Sequence, residues 1–176
     1  FLEAAGLPIP QDMTGRSLLA LMGVGKNSDK GSREFAVVGR DRHGYSDYPC
    51  RAIHTRNHVY IRNYRPDSSP TLCDPGLTLE YYNAHREDPS MDKFWALYAE
   101  KRPAEELYDR QSDPDQLINL AGDPRHETVR KQLSDKLTDF LRKTEDPRET
   151  GRGAKLDAYP NRSPRSAHWP APSAPK

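Results

Sequence analysis

Cysteine is almost missing from this chain. Cys50 and Cys73 are the only two in 176 residues, too few for a disulfide framework. No tight histidine pair stands out either, and His43, His54, His58, His85, His126 and His168 lie scattered. His54 and His58 are four apart but flank an expected hairpin turn, so they do not share a helix face as a zinc pair would, and no metal site is expected. No apolar run approaches the roughly 20 residues needed to cross a bilayer, no secretory leader pattern is visible, and no internal repeat is apparent. Apolar residues reach only 34% and mean hydropathy is −0.97, below the usual apolar share of about 45–50% counted with Gly. A self-sufficient core is therefore doubtful, and some apolar surface is expected to be made for a neighbour.

A dominant charge is missing too. The total is +1, yet six Lys or Arg from Arg148 to Lys176 stand against Glu149 and Asp157 alone, a surplus of +4 that leaves the body near −3. This describes a mildly acidic domain with a basic tail, and a tail of this kind is more often a solvated end than a nucleic-acid arm. An acidic body without a recognised binding motif argues against nucleic acid as partner.

What is present is punctuation and short periodic segments. Phe1 to Gly6 reads as the last turns of a helix closed by Gly at C′, and a helix end without its start implies a cut through a larger protein. Leu7-Pro8-Ile9-Pro10 is extended, Asp12 to Met22 offers a turn, a capping Ser17 and a short apolar helix, and Gly23 to Ser32 is a linker. Strands are expected at Glu34 to Val38, Arg51 to Thr55, His58 to Tyr64 and Glu106 to Asp109. In the third of these, Val59, Ile61 and Asn63 alternate with His58, Tyr60, Arg62 and Tyr64, and Arg56-Asn57 suits a tight hairpin. Asp92 to Glu100 allows two helical turns. The clearest helix runs from an Asp123 cap, with Pro124 at its first position, to about Lys143, with Val129, Leu133, Leu137, Phe140 and Leu141 on one stripe. The fold class expected is α+β, a small antiparallel sheet of about four strands with a C-terminal amphipathic helix packed on it. From Asp146 onward Pro, Ser, Ala and Arg dominate, too polar to offset the cost of ordering. Residues 1–32 are thus expected to be the end of a larger domain and a linker, 33–147 the subdomain, and 148–176 a disordered basic, Pro-rich tail.

The most specific stretch is Arg102-Pro103-Ala104-Glu105-Glu106-Leu107-Tyr108-Asp109, continuing through Ser112-Asp113-Pro114-Asp115-Gln116 to Asn119-Leu120-Ala121 and Asp123-Pro124. Physically it is a short edge strand, a turn, and one apolar turn of helix that docks Leu117, Leu120 and Ala121. It resembles the closing signature of the formylglycine-dependent sulfatases, and Gly15-Arg16-Ser17-Leu18-Leu19-Ala20-Leu21 resembles the segment that closes their large domain, with Ala20 in place of Pro. The step Tyr48-Pro49-Cys50-Arg51 and the hairpin that follows are similar to the heparan N-sulfatase (N-sulfoglucosamine sulfohydrolase) branch. The likeness covers roughly Phe1 to Arg148.

What the resemblance implies is a sulfatase C-terminal subdomain. The parent would be an exported (periplasmic, extracellular or lysosomal) hydrolase of sulfate esters or sulfamates of sugars such as glycosaminoglycans. Its large alkaline-phosphatase-like domain, the partner in cis, would carry the formylglycine and a calcium ion. No catalytic residue and no cofactor is expected within this chain. Cys73-Asp74-Pro75-Gly76-Leu77 lacks the Arg of the maturation motif, and reads as a coincidental loop Cys. The stretch that looks most like a site is Gly39 to Arg51, read as a Gly-bounded loop rich in cations. Arg42 and Arg51 could hold a sulfate or uronate in bidentate fashion, and His43 could donate to a leaving group. Surface arginines paired with Asp41 and Asp47 are the plainer alternative. A noncatalytic module contacting glycans or proteins through this loop and the tail is the rival function.

Overall fold

The computed structural model describes residues 1–24, 33–43, 46–66, 77–99 and 101–160, excepting the side chains at 43, 46, 47, 77–79, 98 and 99. It divides into two units, Phe1–Phe35 and Ala36–Lys176.

In the first unit the apolar Leu18 to Met22 segment forms a turn rather than a helix. Leu19 N–H donates to Ser17 Oγ, and the turn closes at once through Gly23 N–H to Ala20 O and Val24 N–H to Leu19 O. Gly23 takes φ +72°, the left-handed conformation such closures require. Leu18, Leu21 and Met22 remain exposed.

The second unit is built on a four-stranded antiparallel sheet in the order β1-β2-β3-β4: Phe35–His43, Ser46–Thr55, His58–Asn63 and Glu105–Asp109. Around it lie α1 (Leu77–Ala84), α2 (Asp92–Ala99), α3 (Glu127–Lys143) and α4 (Gly153–Asp157). The α+β expectation is met. The register sets Arg51 opposite Arg62, Ala52 opposite Ile61 and Ile53 opposite Tyr60; Tyr60 in turn faces Leu107, and Val59 faces Tyr108. Because side chains alternate along a strand, Arg51, Ile53, Tyr60, Arg62 and Leu107 share one face. Cys50, Ala52, Ile61, Asn63, Glu106 and Tyr108 share the other.

Helix α3 covers the first face. Leu133, Leu137 and Leu141 fall at i, i+4, i+8 and are buried with Ile53, Tyr60 and Leu107, each such side chain contributing about 1.5–3 kcal/mol. Val129 and Phe140 flank this stripe half-buried. Asp123 caps as expected, but it caps a 3₁₀ turn, Pro124–His126, through Arg125 N–H at 2.9 Å, and α3 starts after it.

Three expectations for this unit are corrected. The stretch read as a Gly-bounded loop is strand: β1 runs to His43 and β2 begins at Ser46, with 44–45 outside the described residues. The chain from 148 to 160, read as disordered, carries α4 and a set of ion pairs; residues 161–176 lie outside the description. Composition missed it because charge pairing, not apolar burial, holds that segment. The Leu117 to Ala121 stretch, expected as one turn of helix, is irregular chain, and Leu117 is exposed.

Candidate functional site

Of the three residues singled out from sequence, Arg51 is 5% exposed on the α3 face. Its Nε donates to Asp146 Oδ2 (2.8 Å), Nη2 to Asp41 Oδ2 (3.0 Å), and Nη1 to the carbonyls of Cys50 (2.9 Å) and Arg40 (3.3 Å). Burial works against its charge, but the hydrogen bonds to Asp146 and Asp41 outweigh burial and raise the guanidinium pKa. Arg42 donates to Tyr159 O (2.6 Å) and Asp157 O (3.1 Å). The His43 side chain lies outside the described residues, at the end of β1.

Arg148 continues the pattern, bridging Asp41 (2.7 Å) and Asp157, and Arg65 reaches Asp157 at 2.9 Å. The result is an alternating ladder: Arg65, Asp157, Arg148, Asp41, Arg51, Asp146. The Arg148 hydrogen bond holds the Asp157 carboxyl below its ordinary range. Arg42 and Arg51 therefore meet the ladder and the chain that follows it, and every nitrogen of Arg51 is already donating. Arg51 thus holds the framework together, and Arg42 holds the chain that follows the ladder.

The sheet's other face is open and forms a groove of about 580 Å³, reached by α2 through Leu97 and by Arg102 and Leu117. That volume is within the range of ligand pockets. On its floor Glu106, buried, accepts from Asn63 Nδ2 (2.7 Å) and from Tyr108 Oη (2.5 Å). Tyr48 Oη, Asn63 Oδ1 and Arg40 Nε are buried there without a hydrogen-bond partner, although Tyr48 and Asn63 are only 4% and 5% exposed. The Arg40 guanidinium lies 5.2 Å from the Tyr48 ring centre. Burial, then the Glu106 charge, pushes the Tyr48 phenol well above its ordinary pKa; burial and the Glu106 hydrogen bond do the same to Tyr108. Both stay neutral donors. Burial likewise raises the Cys50 thiol, which is not an activated nucleophile.

Sequence reading missed this groove because its residues come two or three from each strand, with others from α2 and the loops, and meet only through the fold. The available signal was Glu106, an acid beside Leu107 and Tyr108 in the buried middle of the edge strand. Among the described residues no group of three or more His, Cys, Asp or Glu could hold a metal ion. Cys73 lies outside those residues. No helix among them is long and apolar enough to cross a membrane.

No family model matches the chain. Two curated proteins of Formosa agariphila, each an ulvan-active sulfatase, align with it. One is 31% identical over 137 residues, 76% of this chain and 25% of the relative; the other is 30% identical over 135 residues, 69% and 21%. Among solved structures, a putative sulfatase from Bacteroides thetaiotaomicron shares the fold at TM-score 0.54 and 19% identity, over 93% of this chain and 26% of that one. A 2-O GAG sulfatase gives TM-score 0.54 and 19% identity over 95% and 27%. A third structure, in complex with D-glucosamine-2-N,6-O-disulfate, gives TM-score 0.51 and 22% identity over 83% and 23%. The chain's relatives in sequence and its neighbours in fold are sulfatases, which supports the sulfatase family for it. It spans about a quarter of the length of the curated relatives.

Proposed function

We propose that this chain is the C-terminal subdomain of a formylglycine-dependent sulfatase that releases sulfate from a sulfated polysaccharide. The observation that carries the reading is the 31% identity to an ulvan-active sulfatase over 76% of the chain, joined to an α+β fold that sulfatases share across nearly its whole length. In this reading the larger part of the enzyme supplies the nucleophile and the calcium site. This chain supplies one wall of the sugar-binding cleft. The closing signature supports it physically, since Glu106, Asn119 and Asp123 each perform a defined structural task.

Cleavage of an N-sulfate, as in the heparan N-sulfatase branch, is a second reading. The Tyr48-Pro49-Cys50-Arg51 step favours it, as does a structural neighbour bound to an N- and O-sulfated glucosamine. The sequence relatives, both ulvan-active sulfatases, support the first reading over it.

Sulfate release decides the matter. The complete polypeptide that carries this chain should release sulfate from a sulfated uronate-containing polysaccharide, and more slowly or not at all from N-sulfoglucosamine. The 176-residue chain alone should stay at background with calcium present. Absence of release by the complete polypeptide from every sulfated sugar would leave a noncatalytic glycan- or protein-binding module in its place.

A further inference from the structure

We propose that the outer edge of β1, from Phe35 to Gly39, pairs antiparallel with the same edge of a second copy of this chain, about a two-fold axis at Val37. Among the described residues the sheet order leaves β1 and β4 as its edges, and an edge offers a row of backbone donors and acceptors to any chain that fits it. The β4 edge is occupied by the turn at Asn119. The far half of β1 is guarded too, since it carries Arg40, Asp41 and Arg42, and Arg42 is fastened to the carbonyls of Asp157 and Tyr159. The near half carries neither charge nor proline. Val38 there is 51% exposed, and Ala36 and Gly39 are exposed with it. Among the described residues no backbone hydrogen bond from outside the sheet reaches Ala36 to Gly39.

A second copy is the occupant because the segment is its own complement. Antiparallel pairing about Val37 sets Ala36 opposite the partner's Val38, and Phe35 opposite the partner's Gly39, so that a ring covers the one position without a side chain. Continued by the two residues that lead into β1, the same register sets Glu34 opposite the partner's Arg40 and Arg33 opposite the partner's Asp41. Each pair recurs by symmetry, and in each the charges are opposite, which is the stabilising arrangement across strands. An axis one residue later, at Val38, would instead set Phe35 against Asp41 and Ala36 against Arg40, apolar groups against charges. A two-fold contact is self-complementary and finite, so it consumes the edge instead of propagating along a fibre. A single short strand pair lies at the small end of stable interfaces, which makes the dimer a micromolar one. None of this depends on the sulfatase reading.

The test is sedimentation velocity of the complete polypeptide that carries this chain, over a series of micromolar concentrations, which should show a monomer–dimer equilibrium. Glu34→Arg sets like charges opposite each other at both ends of the contact and should raise the dissociation constant about tenfold. Glu34 is exposed, so its replacement should leave the Tm of the dilute protein unchanged. Arg125→Ala, on a different exposed turn, should not affect the equilibrium. Cross-linking reads the register. Directly opposite Cα atoms in an antiparallel pair lie about 4.5–5.5 Å apart, within the range a disulfide spans. Val37→Cys meets its own copy on the axis and should give a covalent dimer under a mild oxidant, whereas Val38→Cys, opposite Ala36, should not.

A complete polypeptide that stays monomeric at every concentration would overturn the proposal, since the edge would then be covered within one molecule or left alone. So would a dimer that Glu34→Arg leaves as tight as before, which would use another surface. A dimer cross-linked through Val38→Cys and not through Val37→Cys would overturn it as well, because the register would be the one that opposes charge to apolar groups. Sulfate release enters none of these readouts, so the enzymatic reading stands or falls separately.

Discussion

Gly39 and Arg51 are one feature made of two residues. A Cβ on Gly39 would stand 2.6 Å from Arg51 Cδ and 3.0 Å from Nε, and that side chain cannot step aside because four hydrogen bonds hold it. Only glycine lets the guanidinium cross β1 to reach Asp41. Gly39→Ala should destabilise the fold by roughly 1–3 kcal/mol, the usual cost of overpacking. Arg51→Ala should cost about 3 kcal/mol, the low end for breaking a buried pair, since Asp41 is 34% exposed and keeps Arg148. The two changes should not add: with Ala at 51 the penalty at 39 should nearly vanish. Chemical denaturation of the four chains in a double-mutant cycle measures this coupling, and simple additivity would show that the glycine has some other purpose.

Strand β4 is an edge, with backbone groups that would otherwise be open to another chain. The turn after it closes that edge. Asn119 Oδ1 accepts from Leu107 N–H and Ala121 N–H, both at 2.9 Å, its Nδ2 donates to Glu105 O, and Leu120 N–H returns to Leu107 O. Asn119→Ala should cost about 1–3 kcal/mol by stranding the amide of fully buried Leu107. Hydrogen exchange should quicken at Leu107 first, whereas Asn119→Asp, which keeps the acceptor, should be milder. Equal protection at Leu107 in the alanine variant would count against this role. Elements with a clean period were legible beforehand: β3 from its alternation, α3 from its 3.6-residue stripe, β4 from the signature that leads to Asn119. The β1–β2 hairpin was not, because Gly39 and the run Arg40 to His43 carry the composition of a loop. Asp41 is ion-paired to Arg51 and Arg148, and Arg42 donates to the carbonyls of Asp157 and Tyr159, facts that composition cannot supply. The groove was hidden for a related reason, since no two of Arg40, Tyr48, Asn63 and Glu106 are near neighbours in sequence.

At the scale of the whole second unit, the sheet has two faces with two fates: one is sealed by α3 and the charge ladder, the other is left with a groove and unmet polar atoms. The ladder matters because it fastens residues 146–160, which have little apolar surface, to β1 and β2 through Asp146, Arg148 and Asp157. Its dependence on pH follows from Asp157. The Arg148 hydrogen bond depresses this carboxyl's pKa, with burial opposing and Arg65 assisting. Its stabilising contribution is therefore complete above the unfolded value of 3.8 and is lost as pH falls through the lower folded value. Stability should accordingly be insensitive to Asp157 between neutral pH and about pH 5, and should fall below pH 4. Limited trypsin digestion should find Arg152 and Lys155 protected near neutrality in the native chain, and opened quickly in Asp157→Asn, which cannot hold Arg148 as an ion. The same variant should show a shallower loss of stability below pH 4, because the proton that loosens the native ladder has no carboxylate left to bind at that position. Cleavage at Arg152 and Lys155 at the same rate in both chains would mean that the segment is held by something other than the ladder.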